Sequence, residues 1–345
     1  MNRSSDLPAV GPAAVGAGPA VLAFDVGGTD IKAALFDDAG RVLGLSRTPT
    51  PLEPGRTAAS VTRRLGELSR ELRARFPEVE PVAAGVVVPG IVDAERGVGV
   101  FASNLGWADA PIRALAAREI GLPVAFDHDV RAASWAEHRL GAARAFDDVV
   151  VLVIGTGIAG SLILDGRPHT AGGYAGEIGH SPVADSPRCA CGAMGCLEAI
   201  ASAGAIARHY VERSGRPVDG AREVLALAAG GDAEASAVWS EALDALAFSI
   251  AQLTAVLAPR AVVIGGGLSR AGEGLFGPLR ERLDARLSFH RRPELVPAEL
   301  GEDAGLLGAA LIARELEGDA AAEAGTADGG TALGGATAAD AEAAG

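Results

Sequence analysis

No run of lysine and arginine occurs in this chain, and read along the sequence no stretch resembles a membrane span. With a formal net charge of −14, the chain is a poor partner for nucleic acid or an anionic bilayer. Asp319, Glu323, Asp328, Asp340 and Glu342 supply five of those charges beyond Gly318, where no base occurs. Cysteine is scarce, with three in 345 residues, which excludes a disulfide scaffold. Aromatic residues are only 4%, so the core must be packed from Ala, Val, Leu and Gly. A secretory leader is not indicated, because Pro8, Pro12 and Pro19 interrupt the first twenty residues. These absences lead us to expect a cytoplasmic globular protein.

What is present reads as an α/β chain of about two domains. Val21–Asp25 is a short apolar run ending in Gly27-Gly28-Thr29, after which Ile31–Asp37 and Val42–Arg47 return as strands. A helix is predicted over Thr57–Arg75, a buried strand over Val82–Val88, a helix over Pro111–Ile120, a strand over Val124–Asp127 and a helix over Val130–Leu140. The opening pattern then recurs: strand Asp148–Ile154, turn Gly155-Thr156-Gly157, strand Gly160–Leu164. Helices follow around Ala205–Glu212, Ala221–Ala229 and Ala233–Leu257, then strand Ala261–Ile264 with Gly265-Gly266-Gly267, and helices Gly274–Leu287 and Gly305–Glu317. Such duplication points to two similar domains with mixed sheets facing one another across a cleft.

The glycine turns all lie at the ends of apolar strands. Glycine lets backbone N–H groups approach phosphate oxygens, and Thr29 and Thr156 add hydroxyl donors. Each turn alone is explained by backbone geometry, but the three together point to a phosphate-rich ligand. No G-x-x-x-x-G-K-[ST] occurs, nor a G-x-G-x-x-G that opens a helix, which excludes a P-loop and disfavours a dinucleotide site. Asp25, just before the first turn, is either a turn cap or a support for Mg²⁺. Asp129, at a strand-to-helix junction, is either a helix N-cap or a general base. Asn104, in a loop near Pro89-Gly90 and Asp93, is an amide suited to sugar hydroxyls, although a bare loop Asn needs no such role.

All three cysteines, Cys189, Cys191 and Cys196, fall within eight residues, with His180 shortly upstream and Glu177 and Glu198 flanking. Three thiols and an imidazole are the ligand set of a closed structural zinc site; inert thiols or a C-x-C redox pair are the alternatives. Zinc in small fingers supplies roughly 10–16 kcal/mol of apparent binding energy. Here the expectation is that it orders one loop.

Taken together, these residues resemble the ROK family of repressors and sugar kinases, and particularly its bacterial glucokinases, from about Val21 to Glu317. Asp25-Val26-Gly27-Gly28-Thr29 and Gly155-Thr156-Gly157 look like the family's phosphate loops, and Gly265-Gly266-Gly267 like its nucleotide-side segment. Pro89–Asp93 and Asn104–Trp107 match its sugar-side loops. The most specific match is Gly176–His180 followed by Cys189, Cys191, Cys196 and Glu198.

The resemblance implies an actin-like, ribonuclease-H-type fold of two domains around a central cleft. Residues 21–128 plus about 301–317 would form the small domain and 129–300 the large one, with a flexible arm over 1–20 and a disordered tail over 318–345. It implies ATP with Mg²⁺, structural Zn²⁺ on His180, Cys189, Cys191 and Cys196, and a homodimer or homotetramer. It makes Asp129 the catalytic base and Asn104, Glu177, His180 and Glu198, with Asp129, the sugar ligands. The implied reaction is transfer to the 6-hydroxyl of a hexose, glucose first. N-acetylmannosamine, N-acetylglucosamine, fructose and allose are alternative acceptors, and a non-catalytic sugar sensor is a further alternative. The chain departs from the family in having Asp30 after Gly-Gly-Thr with Lys32 following, and Asp127-His128 and Val130-Arg131 around Asp129.

Overall fold

The structure is a computed structural model and describes residues 15–328. The first apolar run forms β1 (Val21–Val26), which turns back through Gly27–Thr29 into β2 (Asp30–Phe36) and then β3 (Val42–Pro49). After α1 (Thr57–Arg75) comes β4 (Ala83–Val88). A small meander of β5 (Ile91–Asp93), β6 (Val98–Ala102) and β7 (Trp107–Ala110) leads to α2 (Ile112–Ile120), β8 (Val124–His128) and α3 (Asp129–Leu140). Then follow β9 (Val149–Ile154), β10 (Ile158–Leu164), β11 (Arg167–His169), α4 (Leu197–Ala201), α5 (Ala203–Ser214), α6 (Ala221–Ala229) and α7 (Ala233–Leu257). The chain continues as β12 (Ala261–Gly265), α8 (Glu273–Arg286), β13 (Glu294–Pro297) and α9 (Ala304–Asp328).

These strands build two five-stranded sheets of matching topology, β3-β2-β1-β4-β8 and β11-β10-β9-β12-β13. In each, the first strand is central, pairs antiparallel with the second, and lies parallel to the strand beyond it. The central strands are almost continuously apolar because helices or loops cover both faces: β1, β4, β9 and β12 are buried nearly throughout. On one face of the first sheet, Leu22, Phe24, Val86 and Val88 pack with Leu65 and Leu68 of α1 and Ile112 of α2. On its other face, Ala23 and Val87 meet Ala132 of α3 and Leu306 and Ala310 of α9. The second sheet buries Leu152 and Ile264 against Trp239 and Leu246 of α7 and Leu279 of α8.

Small residues set the spacing. A Cβ at Gly308 would meet the Ala132 carbonyl oxygen at 2.1 Å, so α9 crosses α3 nearly backbone to backbone. Such a core needs few aromatics. Helix α3 starts at the carboxyl end of the first sheet and packs along β10 of the second, which makes it the element common to both. At its far end the buried Glu137 carboxylate accepts hydrogen bonds from Ala142 N at 2.9 Å, Leu300 N at 2.8 Å and Glu299 N at 3.2 Å. It thereby ties together both segments by which the chain passes between the sheets.

Several expectations are revised. Short strands β5, β6, β7 and β13 lie where the sequence predicts no strand, because runs of three to five residues carry little periodicity, whereas β11 closes the hairpin that Asp165-Gly166 signals. Helix α9 does not stop at Glu317 but runs to Asp328, so an Ala-rich stretch read as disordered is helical that far. Residues 329–345 of that tail and 1–14 of the arm lie outside the described residues. Residues 15–20 are pinned: Val15 is buried, and Arg314 donates to the carbonyls of Val15, Gly16, Gly18 and Pro19. Helix α7, contrary to the sequence reading, is long and apolar enough to cross a membrane. It packs as a core helix, with Trp239, Leu243, Leu246 and Ile250 buried in the second half.

Candidate active site

Each glycine segment follows a buried strand, but among the predicted site residues only Asp25, Asp129 and Gly265–Gly267 line one cavity. Gly27–Thr29, Gly155–Gly157, Asn104, Glu177, His180 and Glu198 lie outside its lining. This cavity of about 510 Å³ lies between the sheets, lined by Asp25 at the end of β1, Asp129 at the start of α3, Val153 of β9 and Gly265–Gly267 after β12. Its wall also includes Glu137 of α3, Ser269, Arg270, Ala298 and the entry to α9 with Glu302 and Gly305. Gly266 has φ +78°, and a Cβ there would strike the Ile154 carbonyl oxygen at 2.5 Å, so this floor of the cavity admits glycine alone.

The first turn is held by Thr50, whose hydroxyl donates to Gly27 O at 2.7 Å. Asn104 lies directly above it: a Cβ on Gly28 would meet Asn104 Nδ2 at 3.0 Å. The second turn is held by Glu198, whose Oε2 accepts from Ile158 N at 2.8 Å and would clash with a Cβ on Gly157. Glu198 therefore reaches the second phosphate-type turn as well as flanking the cysteines. Thr29 and Thr156 are both exposed at the turn tips.

Asp129 is the first helical residue of α3. The cap is His128, whose Nδ1 accepts from Val130 N at 3.1 Å, while Asp129 Oδ1 accepts from the same N–H at 2.6 Å. The cap alternative thus falls mainly on the neighbouring residue. Removal from water pushes the Asp129 carboxyl up to about 6. Asp25 is likewise pushed up to about 6, first by burial and then by the charge of Asp129. Burial, aided by Arg131, lowers His128 to about 4, so its imidazole is neutral at pH 7. Asp25, at the end of β1 beside the first glycine turn, offers a carboxylate donor suited to Mg²⁺.

On the far side, His180, Cys189, Cys191 and Cys196 bring one donor atom each to within 4.8 Å of one another. Cys191 Sγ lies 3.7 Å from Cys196 Sγ, and Cys189 Sγ lies 3.8 Å from His180 Nδ1. A tetrahedral zinc with Zn–S bonds of about 2.3 Å has ligand-to-ligand edges of about 3.8 Å, so these residues fit the ion. Glu177 is exposed one turn before His180 and near enough to His128 to act on its charge.

A model of the ROK family matches residues 21–316. The chain belongs to the ROK family. A glucokinase of Thermotoga maritima is 36% identical over 313 residues, 86% of this chain and 97% of the relative. Among solved structures, the ROK hexokinase of Thermus thermophilus is 37% identical with a TM-score of 0.77, over 87% of this chain and 99% of that one. The ROK glucokinase of Streptomyces griseus in complex with glucose and AMPPNP is 30% identical with a TM-score of 0.71, over 86% and 99%. The paired sheets and central cleft are the actin-like fold that these ROK kinases share.

Some cavity residues escaped the sequence reading. Arg270 and Glu302 pair at 2.6 Å across the cavity mouth, and the Lys32 ammonium donates to the Glu302 carbonyl. Asp30 instead pairs with Arg47 at 2.9 Å. Glu137, also on the cavity wall, gave no sequence signal beyond being an acid within a mostly small-residue helix. Arg131 carried one usable sign, its i,i+4 spacing from Asp127.

Proposed function

We propose that this ROK protein is an ATP-dependent hexose kinase that converts glucose to glucose 6-phosphate. The observation that carries the reading is the position of Asp129: a carboxylate raised to about 6 on the wall of the cavity that also holds Asp25 and the Gly265–Gly267 segment. Likeness to glucokinases across nearly the whole chain supports glucose as acceptor.

In this mechanism the nucleotide occupies the cavity over Gly265–Gly267, with its phosphates directed at Gly27–Thr29 and Gly155–Gly157. Asn104, Glu177, His180 and Glu198 orient the sugar. The 6-hydroxyl oxygen attacks the γ-phosphorus, the bond to the β–γ bridging oxygen breaks, ADP departs, and the hydroxyl proton passes to Asp129. Asp25 would hold Mg²⁺, which offsets phosphate charge when bound. Positioning supplies most of the rate, since phosphoryl transfer needs little covalent help from the protein. Zinc on His180, Cys189, Cys191 and Cys196 would fix the imidazole ring and the loop carrying Glu177. The domains would divide at Asp129 and near 301, with α3 and the Glu137 tie as the pivot. The enzyme would act as a cytoplasmic homodimer or homotetramer.

The test is Mg-ATP-dependent ADP release against a panel of hexoses and N-acetylhexosamines, with Asp129→Asn as control. Glucose should give the highest kcat/KM, and Asp129→Asn should lower kcat by roughly 10²–10⁴-fold while glucose still binds. In the wild type, kcat should fall as pH drops through about 6, because the base becomes protonated. Retained turnover in Asp129→Asn would remove Asp129 as base. A faster N-acetylhexosamine would replace glucose.

A further inference from the structure

Arg131 is among the few charged side chains buried among the described residues, with relative exposure of 4%. Its guanidinium touches three separate segments. Nε donates to Asp127 Oδ1 at 2.7 Å, and a terminal nitrogen lies 2.5 Å from the same oxygen. That nitrogen also donates to Val92 O of β5 at 3.1 Å, and the other reaches Gly173 O at 3.5 Å. Gly173 has φ +94°, and a Cβ there would meet Val92 O at 2.1 Å, so these two loops are stacked backbone on backbone beneath the guanidinium. Val92 belongs to the first half, while Gly173 lies four residues before Glu177 in the second. Asp127 Oδ1 also accepts from His128 N at 2.7 Å, so the same ion pair fixes the backbone that leads into Asp129.

We infer that Arg131 is a positioning residue for the acceptor sugar: with Asp127 it clamps the Val92 and Gly173 loops to the start of α3 and so sets the pocket around Asp129, His128 and Glu177. A planar fork with several fixed donors suits this arrangement, whereas a lysine ammonium cannot hold one carboxylate and two carbonyls at such angles. The clamp also has an electrostatic consequence. Asp129 faces Asp127, His128 and Arg131 from its own segment and Asp25 from β1, and among these Arg131 lowers its pKa. Loss of the Arg131 charge therefore raises the Asp129 pKa, whereas loss of the fork alone leaves it in place.

This inference rests on Asp129 being the base, and the experiment separates the two. Steady-state kinetics with glucose and Mg-ATP are measured from pH 5 to 8.5 for Arg131→Lys, Arg131→Met and Asp127→Asn, with melting temperatures alongside. Arg131→Met should raise the glucose KM by roughly 10–100-fold, as a misplaced pocket does, leave the ATP KM unchanged, and move the acid limb of kcat to higher pH. Arg131→Lys should raise the glucose KM but keep the acid limb where it is. A purely structural role would lower the melting temperature without separating the two KM values or the two pH profiles. Should Arg131→Met not fold, Arg131→Lys and Asp127→Asn still decide the matter through the glucose KM. Wild-type glucose KM in these variants, with Asp129→Asn inactive, would overturn the clamp and spare the base; an active Asp129→Asn would overturn the base itself.

Discussion

The two halves share a strand order but differ at three corresponding places. Asp25 is the second-to-last residue of β1, and its counterpart in β9 is Val153; both line the same cavity. The first turn runs from Val26 to Ile31 and closes with Gly27 N–H donating to Asp30 O at 2.8 Å. The second is one residue tighter, from Ile154 to Ile158, with Gly155 N–H donating to Gly157 O at 2.9 Å. Finally, the chain passes from β3 to α1 directly over residues 50–56, whereas from β11 to α5 it spends 170–202 on the cysteine knuckle and α4. One half thus places a charge at the reaction cavity, and the other places a metal-suited loop beside it. Duplication supplied the scaffold, and local changes at three strand ends gave each half its task.

The largest effect should come from erasing the first difference. Asp25→Val copies Val153 into the first half and should lower kcat by roughly two to three orders of magnitude, with loss of the saturating Mg²⁺ dependence. Unchanged kinetics would mean that the halves are functionally alike at this position. The same variant should melt higher at neutral pH. The folded pKa of Asp25, about 6, lies above the ordinary aspartate value of 3.8. Its favourable contribution is therefore complete below pH 4 and lost as pH rises through 6. The gain for the variant at pH 7 should be on the order of 2 kcal/mol in urea unfolding, allowing for screening in an open cleft.

A smaller effect tests the third difference. Metal analysis should find about one zinc per chain, and Cys191→Ser should lose it and reduce kcat/KM for glucose by roughly 10–100-fold, as loss of an orienting partner does. A metal-free, fully active preparation would show that the knuckle is held by its packing alone. The smallest effect belongs to the extra residue of the first turn. Asp30→Ala removes the exposed pair with Arg47 and should cost no more than about 1 kcal/mol by thermal melting. A larger loss would mean that the longer turn depends on that charge.

Much of this was legible along the chain. The repeated strand–glycine turn–strand pattern located both central hairpins, and helices α6 and α7 lie over the residues the periodicity marked. The His180–Cys196 cluster could be read because its ligands are close in sequence, so loop closure alone brings them together. Other features could not be read. The pairing of Arg131 with the Val92 and Gly173 carbonyls joins residues some forty positions apart through backbone atoms that no side-chain pattern reports. The Arg270–Glu302 pair and the Glu137 tie likewise depend on where distant loops come to rest.

By itself the sequence determined the fold class, the duplicated α/β plan and the residue types available for phosphate, sugar and metal, because these follow from local hydrophobic period, glycine placement and short-range spacing. Only the tertiary structure decided how Asp25 and Asp129 come to share a cavity and how far both carboxyls rise. It also decided that His128 caps α3 and that Asp30 and Lys32 take separate partners. Those outcomes depend on burial and on distances between segments far apart in the chain, and neither quantity exists until the sheets have packed around α3 and α9.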